Sequence, residues 1–234
     1  MRVLAVGAHP DDLELLCGGT LARLVAEGHE LTMCHVCAGD RGSFVHTSDE
    51  VRAIRLAEAR RAAEIAGAGH ATLGISDGEV DGSDPEQRRL VIDLIRRTRP
   101  QLVLTHAPGD YMRDHNEVSR LVVDASFTST LPLLETGTPA HDEVAAVYHF
   151  DTVAGVGFSP TEYVDVTDHL ETKLAMLAAH DSQLSWLRDH DGVDILERAR
   201  IATAYRGFQS GVDYAEGFVP CRTWLRNRTT RLLP

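Results

Sequence analysis

The strongest constraint on the fold is an alternation. From residue 3 to residue 150, short apolar runs of strand character take turns with stretches of helical period. The strand-like runs are Val3–Ala8, Leu31–Cys37, Ala71–Leu73, Leu102–Thr105 and Val144–Phe150. Between them, Leu16, Leu21, Leu24 and Val25 form an apolar stripe. Leu90, Val91, Leu94 and Ile95 form another, and Val118, Leu121, Val122 and Ala125 a third. Strands linked through helices need crossover connections, which favour a mainly parallel sheet covered on both faces.

The chain of 234 residues suits one large domain. Later, Asp165-Val166-Thr167-Asp168 offers capping side chains, and Leu170, Leu174, Leu177, Leu184 and Leu187 follow at helical spacing. This predicts one late helix. Flexible linkers and internal repeats are absent. The expectation is a single α/β domain spanning residues 1–234, with a Rossmann-like sheet in residues 1–150 and a helical cap, 151–234, packed on it.

Composition removes several function classes. A net charge of −12 repels phosphate backbones, so nucleic acid is not an expected partner. The opening MRVLAVGAHPDD turns polar too soon for a signal peptide or membrane span, which makes the cytoplasm the default location. The 4 cysteines form no disulfide framework. Cys34 and Cys37 make a C-x-x-C, but positions three apart on a strand face opposite sides, so both read as core residues.

Chemistry concentrates in Ala8-His9-Pro10-Asp11-Asp12-Leu13-Glu14, between the first strand and the first helix. Open parallel sheets bind ligands beyond the carboxyl ends of their strands. Pro10 disfavours helical geometry at His9 and marks the turn. A histidine and two adjacent carboxylates suit a divalent cation such as zinc, with one carboxylate on the metal and the other facing its water. The alternative is that Asp11 and Asp12 only cap the helix. A nucleotide site is excluded, since neither G-x-G-x-x-G nor a P-loop follows the strand.

A second polar knot, Asp110-Tyr111-Met112-Arg113-Asp114-His115, repeats the arrangement of strand, loop and amphipathic helix. His115 begins that helix, where it could complete a site started by His9 and Asp12. Asp114 could orient a ligand from behind, and His106 ends the preceding strand. Here too, capping is the competing explanation.

At these motifs the chain resembles the LmbE-like (PIG-L) family of zinc-dependent N-acetylglucosaminyl deacetylases. Its A-H-P-D-D-x-E stands intact from Ala8 to Glu14, and its H-P-D-H survives as Asp114-His115. Arg55-Leu56-Ala57-Glu58, Ser76-Asp77-Gly78, His180-Asp181-Ser182-Gln183 and Tyr214-Ala215-Glu216-Gly217-Phe218 resemble further family segments, extending the likeness over nearly the whole chain. The resemblance implies one zinc per chain on His9, Asp12 and His115, with Asp11 as general base. It also implies supporting or substrate-facing positions for Glu14, Arg55 and Asp77. The implied reaction is de-N-acetylation of an N-acetylglucosamine-type sugar or conjugate, and the implied partner is that small molecule.

One departure matters. The first histidine of H-P-D-H, which in the family stabilises the oxyanion, is Met112 here, and a thioether cannot donate a hydrogen bond. Tyr111, His106 and His180 are the candidates to replace it, and the sequence does not choose among them. A non-catalytic metal or sugar-binding protein, or an amidase for a non-sugar amide, are the alternatives. A two-metal phosphoesterase would need a second ligand set that the sequence does not supply. His29, His35, His46, His70, His141, His149, His169 and His190 show no ligand spacing and read as surface or core. The basic run from Arg222 to Arg228 is either a solvated tail or a subunit contact, so a homo-oligomer is compatible with the sequence.

Overall fold

The computed structural model describes residues 1–224 and Arg226; Leu225 and residues 227–234, which include Asn227 and Arg228 at the end of the basic run noted above, lie outside the described residues. The expected sheet is present and larger than the sequence suggested. It has 7 strands: β1 (Arg2–Gly7), β2 (Glu30–Cys37), β3 (Gly69–Ile75), β4 (Leu102–His106), β5 (Ala146–Phe150), β6 (Glu162–Asp165) and β7 (Ala215–Pro220). Their order is β3-β2-β1-β4-β5-β7-β6. The first five are parallel, and β7 and β6 continue the sheet in antiparallel pairing.

Connections after β1 run outward to β2, whereas β4 lies on the other side of β1. The gap between the carboxyl ends of β1 and β4 is therefore the switch point of the sheet, where a crevice is unavoidable. Helices cover both faces, which is why β1, RVLAVG, is almost uninterruptedly apolar and buried. On one face, α3 (Pro85–Thr98) and α4 (Arg113–Thr128) pack Ile92, Ile95, Leu121 and Val122 against Leu4, Val6 and Val103. The other face takes α1 (Asp12–Ala26), α2 (Ser48–Ala66) and α5 (Leu170–Ala178), with Leu13, Leu21, Ala62 and Met176 against Val3, Ala5 and Leu104.

Three expectations need correction. The chain after Asp151 is not purely a helical cap, because β6 and β7 extend the main sheet. The late leucine series is not one helix either. It breaks at Ala179–His180 into α5 and α6 (Asp181–Trp186), followed by a π-helical turn, Leu187–Asp191, before α7 (Ile195–Ser210). Finally, an irregularity in the pairing between His35 and Cys37 shifts the alternation of β2, so Cys34 and Cys37 join the same cluster.

The C-terminal third is tied to α1 by a buried ion pair. Lys173 Nζ donates to Glu216 Oε1 at 2.5 Å and to the Leu15 carbonyl at 2.7 Å. The Glu216 carboxylate also accepts from the backbone of Gly19 (2.9 Å) and Thr20 (2.7 Å). Only glycine fits at 19, since a Cβ there would lie 2.7 Å from Val166. Among the described residues, no helix is long and apolar enough to cross a membrane.

Candidate active site

The two polar knots meet at the switch point. One donor atom each from His9, Asp12 and His115 lies within 4.8 Å of the others. Asp12 Oδ1 is 3.3 Å from His115 Nε2, and Asp12 Oδ2 is 3.5 Å from His9 Nδ1. The far side of each imidazole is engaged. His9 Nε2 lies 3.0 Å from Asp114 Oδ2, and His115 Nδ1 lies 3.1 Å from Asp110 Oδ2. A carboxylate facing the far nitrogen fixes the tautomer, and it turns the near nitrogen's lone pair into the gap. His115 Nε2 is buried there with no hydrogen-bond partner. Two ring nitrogens, one of them the orphaned His115 Nε2, and one carboxylate oxygen fit a divalent zinc with an open position.

Capping does not account for these residues. Asp11 occupies the N-cap of α1 without making a side-chain cap, at φ 119°, where a non-glycine residue is strained. The Asp12 carboxylate accepts from the His9 amide at 2.6 Å, closing the turn backwards. Asp114 accepts from the Gly78 amide at 2.7 Å, which anchors the loop after β3 to the site.

Electrostatics separate the two adjacent aspartates. Burial pushes the Asp11 carboxyl up and the Asp12 charge adds to this, while His180, Arg55 and His9 pull part of the way back, leaving it at about 6. Burial also opposes ionisation of Asp12, but the neighbouring His115 and His106 hold it well below the usual carboxylate range. Neighbouring carboxyls driven apart in this way are suited to different tasks. Burial lowers His115, yet Asp12 and Asp110 outweigh it and raise it to about 9. His106 goes down to about 4, through burial and the His115 charge.

The remaining sequence candidates fall into distinct places. His106 is buried beneath His115, with ring centroids 3.9 Å apart, and its Nε2 accepts from the Ala8 amide at 2.9 Å. Tyr111 is 81% exposed, and the Asp12 and His9 charges act on its phenol. Arg55 is only 4% exposed, and its charge acts on Asp11. Asp77 accepts from the Gly39 amide at 2.8 Å and so shapes a loop rather than facing the donor triad. Glu14 is fully buried, its oxygens 3.3 Å from His180 Nε2 and 3.5 Å from His35 Nε2. Burial opposes its charge, but these two histidines keep it far below the usual carboxylate range.

Several supporting residues escaped the sequence reading. Asp110 grips His115, and its signal was present, since it lies five residues before the histidine at the edge of the same knot. His35 and its neighbour His70 (ring centroids 5.6 Å apart) belong to the row behind Glu14. Glu58 accepts from the Ser182 amide (2.9 Å) and hydroxyl (2.6 Å), joining two segments that looked independent in sequence. Cys37 Sγ lies 3.9 Å from Asp114 Oδ2, so it borders the site as well as the core.

Fold and site together define a doubly wound α/β protein with a His–Asp–His donor triad at its switch point. Residues 4–126 match the family described as PIG-L, GlcNAc-PI de-N-acetylase, and the chain belongs to that family. It is 30% identical over 233 residues to the diacetylchitobiose deacetylase of Thermococcus kodakarensis, covering 94% of this chain and 83% of that one. Among solved structures, N,N'-diacetylchitobiose deacetylase from Pyrococcus horikoshii superposes with a TM-score of 0.81 at 25% identity, covering 93% and 82% of the respective chains. The 4-carboxy-2-hydroxymuconate hydratase GalB from Pseudomonas putida superposes with a TM-score of 0.84 at 24% identity over all of both chains. That likeness concerns the fold alone, and it shows that this scaffold is not bound to one reaction.

Proposed function

We propose that the protein is a zinc-dependent N-deacetylase that hydrolyses the amide of an N-acetylated amino sugar or its conjugate, with one zinc on His9, Asp12 and His115. The observation that carries this reading is the convergence of those three donors beside a separate, buried carboxylate at Asp11. A protein that only binds metal or sugar has no use for that additional carboxylate. Zinc bound there would acidify a water molecule and polarise the amide carbonyl. Asp11, in its ionised form, accepts the proton released as the water oxygen attacks the carbonyl carbon. The C–N bond then breaks, the Asp11 carboxyl returns the proton to the departing nitrogen, and acetate and the amino sugar are the products. Asp114 and Asp110 keep the two imidazoles aligned throughout.

Met112 leaves no imidazole for the developing oxyanion. His106 is stacked beneath His115 and His180 is fully buried against Glu14, while Tyr111 is exposed with its phenol close enough to Asp12 and His9 for their charges to act on it. The test is release of primary amine from N-acetylglucosamine and a panel of its conjugates by zinc-loaded protein, with Asp11→Asn as control. Stoichiometric zinc without amine release from any member of the panel would refute the reaction. Failure to retain a divalent ion after reconstitution would refute the site.

A further inference from the structure

His9 has a second set of neighbours. One donor atom each from His9, Cys37 and Asp114 lies within 4.8 Å of the others, and the reaction proposed above gives Cys37 nothing to do. The fold builds this arrangement. The irregularity in β2 between His35 and Cys37 ends with the Cys37 amide donating to the Ala8 carbonyl at 2.8 Å, which sets Cys37 beside the next residue, His9. Cys37 Sγ lies 3.9 Å from Asp114 Oδ2, and that oxygen lies 3.0 Å from His9 Nε2. The other Asp114 oxygen, Oδ1, is buried without a hydrogen-bond partner, so the carboxylate keeps unused accepting capacity while Oδ2 holds the Gly78 amide. Cys37 also lines a cavity of about 90 Å³ with Pro10, His35 and His70, so it is not closely packed on every side.

The two donor sets differ in kind. His9, Asp12 and His115 offer nitrogen and oxygen alone, whereas Cys37 adds sulfur, the soft ligand that thiophilic cations select. A thiolate and a carboxylate place two negative charges around a buried dication, one more than the ligands of the zinc triad supply. The sets share one ring and use its opposite ends. His9 Nδ1 is 3.5 Å from Asp12 Oδ2, and Nε2 faces Asp114. A neutral imidazole carries one lone pair and one N–H. An ion on Nε2 therefore puts the ring proton on Nδ1, aimed at Asp12, and removes the lone pair that zinc needs. One neutral ring cannot serve both sets at once.

We propose that His9, Cys37 and Asp114 form a second metal site for a soft divalent cation of the cadmium class, and that its occupation withdraws His9 from the zinc triad. Binding replaces the contact between His9 Nε2 and Asp114, leaves the ring proton on Nδ1 and releases the thiol proton to solvent. The ion is then held by a thiolate, a carboxylate and a neutral imidazole. The competition with zinc rests on the triad assigned above, whereas the thiolate site does not.

The test uses the full-length protein. Titrating the metal-free chain with cadmium alone should produce thiolate-to-cadmium charge-transfer absorption in the ultraviolet, saturating at one ion per chain. Cys37→Ser and Cys37→Ala should abolish that absorption and keep zinc bound. Absorption that survives in both variants overturns the proposal. In wild type with isotopically labelled histidine, NMR-active cadmium should couple to His9 Nε2. Coupling to His115 Nε2 instead would put cadmium in the triad and overturn the proposal, whether or not any variant folds. Added to zinc-loaded wild type, cadmium should release one zinc per chain to a chromogenic chelator, and Cys37→Ser should retain its zinc under the same conditions. Zinc retained by wild type while the absorption saturates overturns the exclusion. A wild type that binds no zinc but shows Cys37-dependent cadmium absorption removes the triad, and with it the competition, while the thiolate site stands.

Discussion

The two strand-to-helix junctions look alike in sequence and are built for different work. After β1, His9, Asp11 and Asp12 are compressed into a turn so tight that Asp11 adopts φ 119°. Two ionisable neighbours there are driven in opposite directions. After β4, the loop is longer and more solvated, and it delivers one ring, His115, together with two carboxylates that grip rings. On the proposed reading, the first junction supplies the base and two metal donors, and the second supplies the third donor and the carboxylates that hold the rings.

The largest effect should therefore come from the first junction. Asp11→Asn is expected to reduce kcat by about 10²–10⁴-fold while metal content, measured by elemental analysis, stays near wild type. Turnover within tenfold of wild type would remove Asp11 from the mechanism. The second junction should respond through affinity. Asp110→Asn and Asp114→Asn are each expected to weaken zinc binding about 10–100-fold in a chelator competition, with residual activity restored by added zinc. A loss that zinc does not restore would place chemistry at the second junction and break the comparison.

pH sharpens it further. Asp11 works as a base only when ionised, so activity should fall as pH drops through its pKa. In metal-free protein that carboxyl should titrate at about 6 by NMR, and a bound dication should lower it. The acid limb of kcat/KM should accordingly lie at or below that value, and a limb well above it would point to another group. The smallest effect is expected at Met112→His, where kcat should improve or remain within about threefold of wild type. A larger loss would mean that this pocket is shaped around the thioether.

The parallel half of the fold was legible because buried strands are written as unbroken apolar runs, as in RVLAVG. β6 and β7 were not. EYVD is largely exposed, and AEGFVP carries a glycine and a proline, so neither displays a strand pattern by itself; the sheet edge they complete gives them their structure. The break at His180 was hidden for a related reason. Leucine spacing continues across it, and only the approach of His180 to Glu14 shows why the backbone turns there.

Within the site, residues adjacent in sequence could be grouped by motif. Pairs such as His115 with Asp110 needed only local geometry. Glu58 with Ser182, 124 positions apart, needed the fold. Arg55 could not be placed from the sequence because helical periodicity does not reveal which neighbours later close over a face.

The buried Lys173–Glu216 pair sets the limits of what can be transplanted from this chain. Residues 4–126 are enough to recognise the family, yet α1, which carries Asp12 and Glu14, is moored to groups at 173 and 216. A segment cut at the end of β5 would contain every residue of the donor triad and lack what fixes that helix in register. The unit of inheritance visible in sequence is smaller than the unit of mechanical integrity. Chimeras that exchange pocket loops should accordingly keep the last third of the chain with its own first helix.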